Sequence, residues 1–501
     1  MAAAPRLEIA AQGAKSPKTL EFLKSSPKQL LINGKWVSAK SGKTFQSLNP
    51  ANEEVLAEVA EAGPEDIDEA VKAARKAFEE GPWSKMSPHQ RTKLLLKVAD
   101  LLEENRAQLA ELSSLDNGAP IMGGQGLVTS ANELFTYFAG WPSKIYGETN
   151  PSAPDMFNYT LREPIGVCGQ IIPWNGPLMS ASNKLAHALS TGNTVVLKPA
   201  EQACLVVLRL GELLMEAGVP EGVVNIVPGF GPVAGAALSN HPDVDKLAFT
   251  GSTTTGKEIL KASVATLKHV SLELGGKSPH VIFADADLEP ALNFAAIGIF
   301  GNTGQACIAG SRIFVQEKIH DQFVDGLVQR AKAHKLGAQF EAGTTMGPVV
   351  SKVQHQRVLG YIDAGKAEGA HAAAGGSAGP QPKGYFVQPT VFTGVRNDMK
   401  IAQEEIFGPV AAVIPFRDEN DAVLQGNDTT YGLAAGIWTR DISRAHKVAR
   451  RLKAGTVWIN CYMVLDFTMP FGGYKQSGQG REFSNHAIEM YTQMKSVFVK
   501  L

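Results

Sequence analysis

The chain has 501 residues, and its 48 Lys and Arg almost balance 49 Asp and Glu, so a net charge of −1 leaves no basic field to hold nucleic acid or an anionic membrane surface. With 44% hydrophobic and 19% charged residues it reads as a soluble globular protein of two or three domains, and no apolar run reaches the ~18 residues of a membrane span. Its four cysteines, Cys168, Cys204, Cys307 and Cys461, lie far apart without a CxxC pair, and its histidines form no HExxH; no metal site or disulfide framework is expected, and a reducing, cytoplasmic setting is.

The first twenty residues, MAAAPRLEIAAQGAKSPKTL, lack the apolar core of a secretory signal and read as a disordered or tethering arm, a transit peptide being the alternative. LLINGKWVS sets Asn33-Gly34 between apolar stretches and predicts a tight hairpin. PEDIDEAVKAARKAFEE opens with Pro64 and acids in its first turn and predicts a helix. Ser87-Pro88 predicts the cap of a second helix running through LLLKVADLLEENRAQLAEL.

From about Leu161 apolar β-type runs alternate with helix-period segments. The runs are GVCGQIIPWN, NTVVLKPAE, GVVNIVPG, KLAFTGS and HVSLELGG. This is the pattern of an open parallel sheet wrapped by helices, whose ligands bind at the carboxyl ends of the strands. Asn175, Lys198, Glu201, Ser252 and Glu273 all stand at or just beyond such ends. A second α/β series begins near Ala284, with strand-like RIFVQ, AAVIPF, AAGIWT and GTVWIN. Within it AGKAEGAHAAAGGSAGP reads as a surface loop. The tail MKSVFVKL is a strand with nothing after it to pair with, left to join another element or another subunit.

Two glycine motifs suggest phosphate. Gly229–Ala234 matches GxGxxG/A after a strand, a pattern that also describes a plain strand-to-helix turn. Gly251–Lys257 satisfies GxxxxGK, but Glu258 follows where a P-loop carries its magnesium-binding Ser or Thr, so a nucleoside-triphosphate site is not expected. A helix start at Gly251-Ser252 can still receive a phosphate through its free N–H groups. The residues therefore suggest a dinucleotide and leave open which turn holds it.

Small residues surround Cys307 in GNTGQACIAGSR, as they would around a packed thiol or a reactive one. Glu273, beside Gly275-Gly276, could serve as a general base or pair with a lysine. Asn175 could donate to an oxyanion or simply form a turn. Together the three supply nucleophile, base and oxyanion donor beside a nucleotide-binding sheet, which suits covalent catalysis on a carbonyl.

PWN (173–175), LKPAE (197–201), FTGS (249–252), LELGGK (272–277), GQACIAGSR (304–312), EEIFGP (404–409) and PFGGYKQSGQGRE (470–482) follow one another in this order. The chain resembles the NAD(P)-dependent aldehyde dehydrogenase superfamily. The resemblance implies an α/β fold with a Rossmann-like parallel-sheet cofactor domain (1–141 and 165–275), a second α/β catalytic domain (276–481) and a small β oligomerisation arm (142–164 and 482–501). It implies Cys307 as nucleophile, Glu273 as base and Asn175 as oxyanion donor with the Cys307 N–H. It also implies an NAD site of Trp174, Lys198, Glu201, Gly251, Ser252, Glu405 and Phe407, in which Glu201 would repel the 2′-phosphate of NADP. The Gly229 turn is then incidental. Lys198 and Glu482 are expected in a proton relay, and a homodimer or homotetramer as the assembly.

This chain departs from the family pattern at the substrate entrance. Gly176 stands where many relatives carry an aromatic residue, and Ser180, Ser182 and Asn183 where the entrance helix often carries bulk. With Ala306, Ile308, Leu465 and Phe471, the residues Gly176, Ser180 and Asn183 are the expected substrate pocket, and CYMVLDFTM (461–469) adds Asp466 to a wall. A wider, less apolar tunnel and a bulky or oxygenated aldehyde are expected. The other readings of the chain are a thiol hydrolase or acyltransferase without redox chemistry, and a catalytically silent relative.

Overall fold

In the computed structural model, which describes residues 7–501, the chain is organised around two mostly parallel sheets and two antiparallel ribbons. Its start is docked rather than tethering: α1 (Leu7–Ala10) and α2 (Pro17–Lys24) bury Ala10, Phe22 and Leu23. Glu111 accepts hydrogen bonds from the N–H groups of Lys15 and Ser16 and from the Thr19 hydroxyl, at 2.7 to 3.1 Å. The expected disordered arm is thus folded from Leu7 onward, because apolar residues are spaced closely enough to reach the core; residues 1–6 of that expectation lie outside the described residues.

The Asn33-Gly34 turn joins β1 (Leu30–Ile32) to β2 (Lys35–Val37) with φ of 53° and 72°, both left-handed as the hairpin requires. β3 (Thr44–Leu48) and β4 (Val55–Ala60) form a separate ribbon. α3 (Pro64–Glu79) buries Ile67, Ala70, Val71 and Ala74 at helical spacing. Ser87 caps α4 (Pro88–Glu104), its hydroxyl accepting from the Gln90 N–H. The expected second helix breaks at Asn105, and α5 (Arg106–Asn117) starts anew. Asn105 turns its amide onto the Leu101 carbonyl while Lys18 and Arg209 bind its Oδ1, a local competition that asparagine wins against helix continuation. α6 (Ile121–Ala139) then packs against α4 and α5.

After the half-exposed β5 (Met156–Pro164) come the parallel strands β6 (Val167–Ile171), β7 (Thr194–Lys198), β8 (Val224–Ile226), β9 (Lys246–Thr250) and β10 (His269–Glu273), the five runs read from the sequence. Between them lie α7 (Pro177–Ser190), α8 (Leu205–Ala217), α9 (Ala236–Asn240) and α10 (Thr253–Ser263).

The second sheet contains β11 (Pro279–Ile282), β12 (Arg312–Gln316), β13 (His371–Ala374), β14 (Thr390–Thr393), β15 (Val410–Phe416), β16 (Ala434–Trp438) and β17 (Thr456–Ile459), in the order β13-β14-β15-β12-β11-β16-β17. Its interior strand β11 precedes the expected start at Ala284; it is only four residues long and opens on proline, so no run marks it. The expected loop 364–380 is instead a helix end followed by β13, because alanine serves a helix and an antiparallel edge strand equally well.

β18 (Gly478–Gln479) returns to pair antiparallel with β10, so the first sheet reads β18-β10-β9-β6-β7-β8-β1-β2 and includes residues expected in the second domain. The tail forms β19 (Thr492–Lys500), which pairs along its whole length with β5, from Thr492↔Pro164 to Lys500↔Met156.

Arg312, fully buried, stitches β12 to its surroundings. Its guanidinium donates to the carbonyls of Lys277, Gln425, Gly426 and Asp428 and to Asn397 Oδ1, at 2.8 to 3.3 Å. Arg312→Ala strands these acceptors and is expected to cost about 3 kcal/mol or more in urea unfolding.

Candidate active site

Proline and glycine shape the turn that leaves β6. Pro173-Trp174-Asn175-Gly176 runs into α7, whose first residue is Pro177, and the Asn175 amide donates to the Gln305 carbonyl at 2.9 Å. The facing turn carries Asn302 and Thr303 at φ of 48° and 56°, left-handed conformations that non-glycine residues adopt at a cost. Asn302 holds it by donating to the carbonyls of Asn175 (3.0 Å) and Gln305 (3.1 Å), and Thr303 by donating to Gly347 (3.1 Å). This turn delivers Cys307, packed beside Ile308, Leu433 and Tyr462 yet still partly exposed.

Desolvation, then the charges of Glu405 and Glu273, push the Cys307 thiol up to about 12. The protein around it therefore opposes ionisation, and the proton must be taken by a base. Glu273, at the end of β10, is held well above the usual carboxylate range by burial and then by the charge of Glu482. Its Oε2 is buried without a hydrogen-bond partner.

Cys307, Glu273 and Asn175 stand where two cavities meet. Pro173 and Thr250 line both as well. The larger, about 560 Å³, is lined by every expected substrate-pocket residue: Gly176, Ser180, Asn183, Ala306, Ile308, Leu465 and Phe471. Its remaining wall is mostly apolar, with Met122, Leu127, Met179, Met463 and Phe483. The expected polar wall does not form. Asp466 is exposed and accepts from the N–H and hydroxyl of Thr468, closing its own turn, and Ser182 is buried outside the cavity.

The smaller cavity, about 230 Å³, is lined by Trp174, Gly251, Ser252, Glu405 and Phe407, with Gln354 and Arg357. Trp174 and Phe407 meet edge to face at 5.2 Å. Glu405 accepts from the Gly276 N–H at 3.1 Å, and burial pushes its carboxyl up to about 7. Ser252 caps α10 by accepting from the Thr255 N–H at 3.2 Å. Buried Lys198 lies 3.4 Å from partly exposed Glu201, and neither lines either cavity. Nor does the Gly229 turn, while Glu258 faces solvent beside Lys261.

Lys198 does not reach Glu482, because it is drawn to Glu201 and the Pro199 carbonyl. The partner of Glu482 is Lys184, a buried lysine on α7. Lys184 escaped the sequence reading, although a lysine on a helix buried over nearly its whole length was the available signal. Gln354 and Arg357 escaped it too. They donate to the carbonyls of Phe407 (2.8 Å) and Glu405 (2.7 Å) and hold that segment, with no local signal to mark them.

The model of the aldehyde dehydrogenase family matches residues 36–497. The chain belongs to the aldehyde dehydrogenase family. This aldehyde dehydrogenase is 50% identical over 489 residues to aldehyde dehydrogenase 1A1 of Mesocricetus auratus, covering 97% of each chain. It superposes on an NAD+ complex of the Bacillus cereus aldehyde dehydrogenase with a TM-score of 0.96 at 55% identity, covering 97% of this chain and 99% of that one. For betaine aldehyde dehydrogenase from Staphylococcus aureus, solved in complex with NAD+, the values are 0.95 and 41%, covering 96% and 97%. In this aldehyde dehydrogenase Asn175→Ala is expected to lower kcat about 10²- to 10³-fold with little change in KM, the mark of a donor lost from the transition state.

Proposed function

We propose that this protein oxidises a bulky, largely apolar aldehyde to its carboxylic acid, with NAD as electron acceptor, through a thiohemiacetal and a thioester on Cys307. The observation that carries the reading is the meeting of the two cavities at Cys307, Asn175 and Glu273. The aldehyde enters the larger cavity, whose volume suits a ligand well beyond acetaldehyde. Glu273 takes the thiol proton as Sγ attacks the carbonyl carbon. The Asn175 amide and the Cys307 N–H receive the oxyanion. Once the thiol proton has left Glu273 through the Glu482–Lys184 pair behind it and the thioester has formed, Glu273 takes a proton from the attacking water and passes it on by the same route.

The residues around the smaller cavity fit NAD. Glu405 offers a carboxylate to a ribose, the N-terminus of α10 with Gly251 and Ser252 suits a pyrophosphate, and Trp174 and Phe407 form an aromatic wall. Lys198 and Glu201 would hold the adenine ribose, and the Glu201 carboxylate disfavours NADP. Bound there, NAD supplies the two-electron acceptor that the step from thiohemiacetal to thioester requires.

A homodimer or homotetramer built through segments 142–164 and 482–501 belongs to the same reading. Phe157, Leu161, Met494 and Phe498 are exposed on the β5–β19 ribbon and support it. Segments 1–141 and 165–275 serve as the cofactor domain and 276–481 as the catalytic one. Four free cysteines support a cytoplasmic setting.

The test is NADH formation with NAD and a panel from acetaldehyde to long-chain and aromatic aldehydes. kcat/KM is expected at least about tenfold higher for the bulky apolar members. Highest efficiency with acetaldehyde would overturn the substrate class, and no NADH with any aldehyde would overturn the reaction.

A further inference from the structure

Asn183 occupies a place on α7 where the resemblance leads one to expect bulk, and its amide has a specific contact. Its Nδ2 donates to Glu482 Oε2 at 2.5 Å, while Lys184, the next residue, binds Oε1 of the same carboxylate. The two carboxylate oxygens are therefore held by two neighbouring residues of one buried helix. The orientation of the amide follows from chemistry: an ionised carboxylate only accepts, so the NH₂ end must face it, and Asn183 Oδ1 is left buried without a partner. Asn183, Lys184, Glu482 and Glu273 all line the substrate cavity.

We propose that Asn183 is a positioning residue for Glu482, holding that carboxylate aimed at Glu273 so that it can receive the proton released when the thioester is hydrolysed. The inference rests on the reading of Glu273 as the base of that step. The step itself is balanced: water adds to the thioester carbonyl as one of its protons passes through Glu273 to Glu482, the C–S bond breaks, and the released carboxylic acid gives its remaining proton to the Cys307 thiolate and leaves as the carboxylate. Asn183 neither gives nor takes a proton. It contributes one hydrogen bond that exists only while its N–H has a carboxylate to meet.

The other charged or titratable groups facing Glu482 are Lys184 from α7, Glu273 from β10, Lys246 from β9 and Tyr491 ahead of β19, with Arg481 as its chain neighbour. Lys184 attracts the Glu482 charge and Glu273 repels it; the Glu482 charge is in turn one cause of the raised proton affinity of Glu273. With that donor removed, less of the Glu482 charge is offset and it bears more strongly on Glu273. The acid limb of kcat, where Glu273 gains the proton that blocks the relay, must then move to higher pH.

The experiment uses the full-length enzyme with Asn183→Leu, nearly isosteric but without a donor, Asn183→Asp, which sets a second carboxylate against Glu482, and Asn183→Ser, a smaller polar control. The pre-steady-state NADH burst counts folded, acylated sites, and kcat per burst site is followed from pH 5 to 10. The Leu variant is expected to lose roughly tenfold in kcat near pH 7, with its acid limb moved up by about one pH unit and the deficit narrowing as pH rises. The Asp variant is expected to move the limb further in the same direction. A change confined to KM, with the kcat–pH profile unmoved in all three variants, would overturn the proposal and leave Asn183 as cavity wall. Absence of NADH from the unsubstituted enzyme would instead overturn the underlying reaction, so the two failures are distinguishable.

Discussion

Cys307→Ala is expected to lower kcat for every aldehyde by at least about 10⁴-fold, because no other group in the site can form the covalent intermediate. Cys461, the other partly exposed thiol, lines neither cavity and cannot substitute. The loss should fall on kcat rather than on binding, since both cavities keep their remaining walls. Alanine also removes a thiol that sits in surroundings opposed to its ionisation, so the variant is expected to fold and to bind NAD with little change. Stopped-flow absorbance at 340 nm checks the first point, and calorimetric titration with NAD the second. Residual turnover near the parental rate would mean that the thiol is a bystander.

Glu273→Gln produces the second large effect, of a different kind. Glutamine keeps the shape of the side chain but cannot take a proton, so both the attack of Cys307 and the hydrolysis of the thioester are expected to slow, and kcat to fall by about 10²- to 10⁴-fold. The pre-steady-state NADH burst should slow with it, read by stopped-flow absorbance. The parental enzyme should show an acid limb in kcat above the ordinary carboxylate range of about 4.3, because burial and the Glu482 charge raise the proton affinity of Glu273. Activity needs the ionised form, so it is lost as pH falls through that raised value, and the variant should lack this limb.

Stability runs the opposite way. A carboxyl whose pKa is raised on folding binds its proton more tightly in the folded state, so it stabilises the fold at low pH, and that contribution is lost as pH rises through the folded value. At neutral pH the glutamine variant is therefore expected to unfold at the same or a higher temperature than the parent, measured by calorimetry. A lower Tm would mean that Glu273 has a stabilising partner.

Much of this site was legible because local physics and long-range placement coincide. Parallel strands buried on both faces read as apolar runs, and the small or polar residues that end them mark the edge where ligands bind. Asn175 and Glu273 were found by that logic, and Cys307 by the small residues around it and the motif order. Contacts between distant segments were not legible. Nothing near Lys184 announces Glu482, and nothing near Lys198 denies it, so Glu482 was read together with Lys198, whereas its contact is with Lys184. Asp466 was read as a polar wall because composition shows what a segment contains and not which way it turns. β11 was missed because four residues beginning with proline carry no periodicity, even in the interior of a sheet.

The return of β18 to the edge of β10 has a consequence for how the enzyme comes into being. The strand that carries Glu273 receives its outer neighbour only from Gly478 and Gln479, roughly 200 residues later in synthesis, and Glu482 and Phe483 follow immediately. While the polypeptide is being translated, nucleophile and base are made long before the segment that seals their back wall. The first sheet can collect its other strands early, but the working constellation closes only when almost the whole chain has emerged, a late step of high contact order. A nascent or C-terminally truncated chain is thus expected to be inactive, its competence waiting on the last segment to be made.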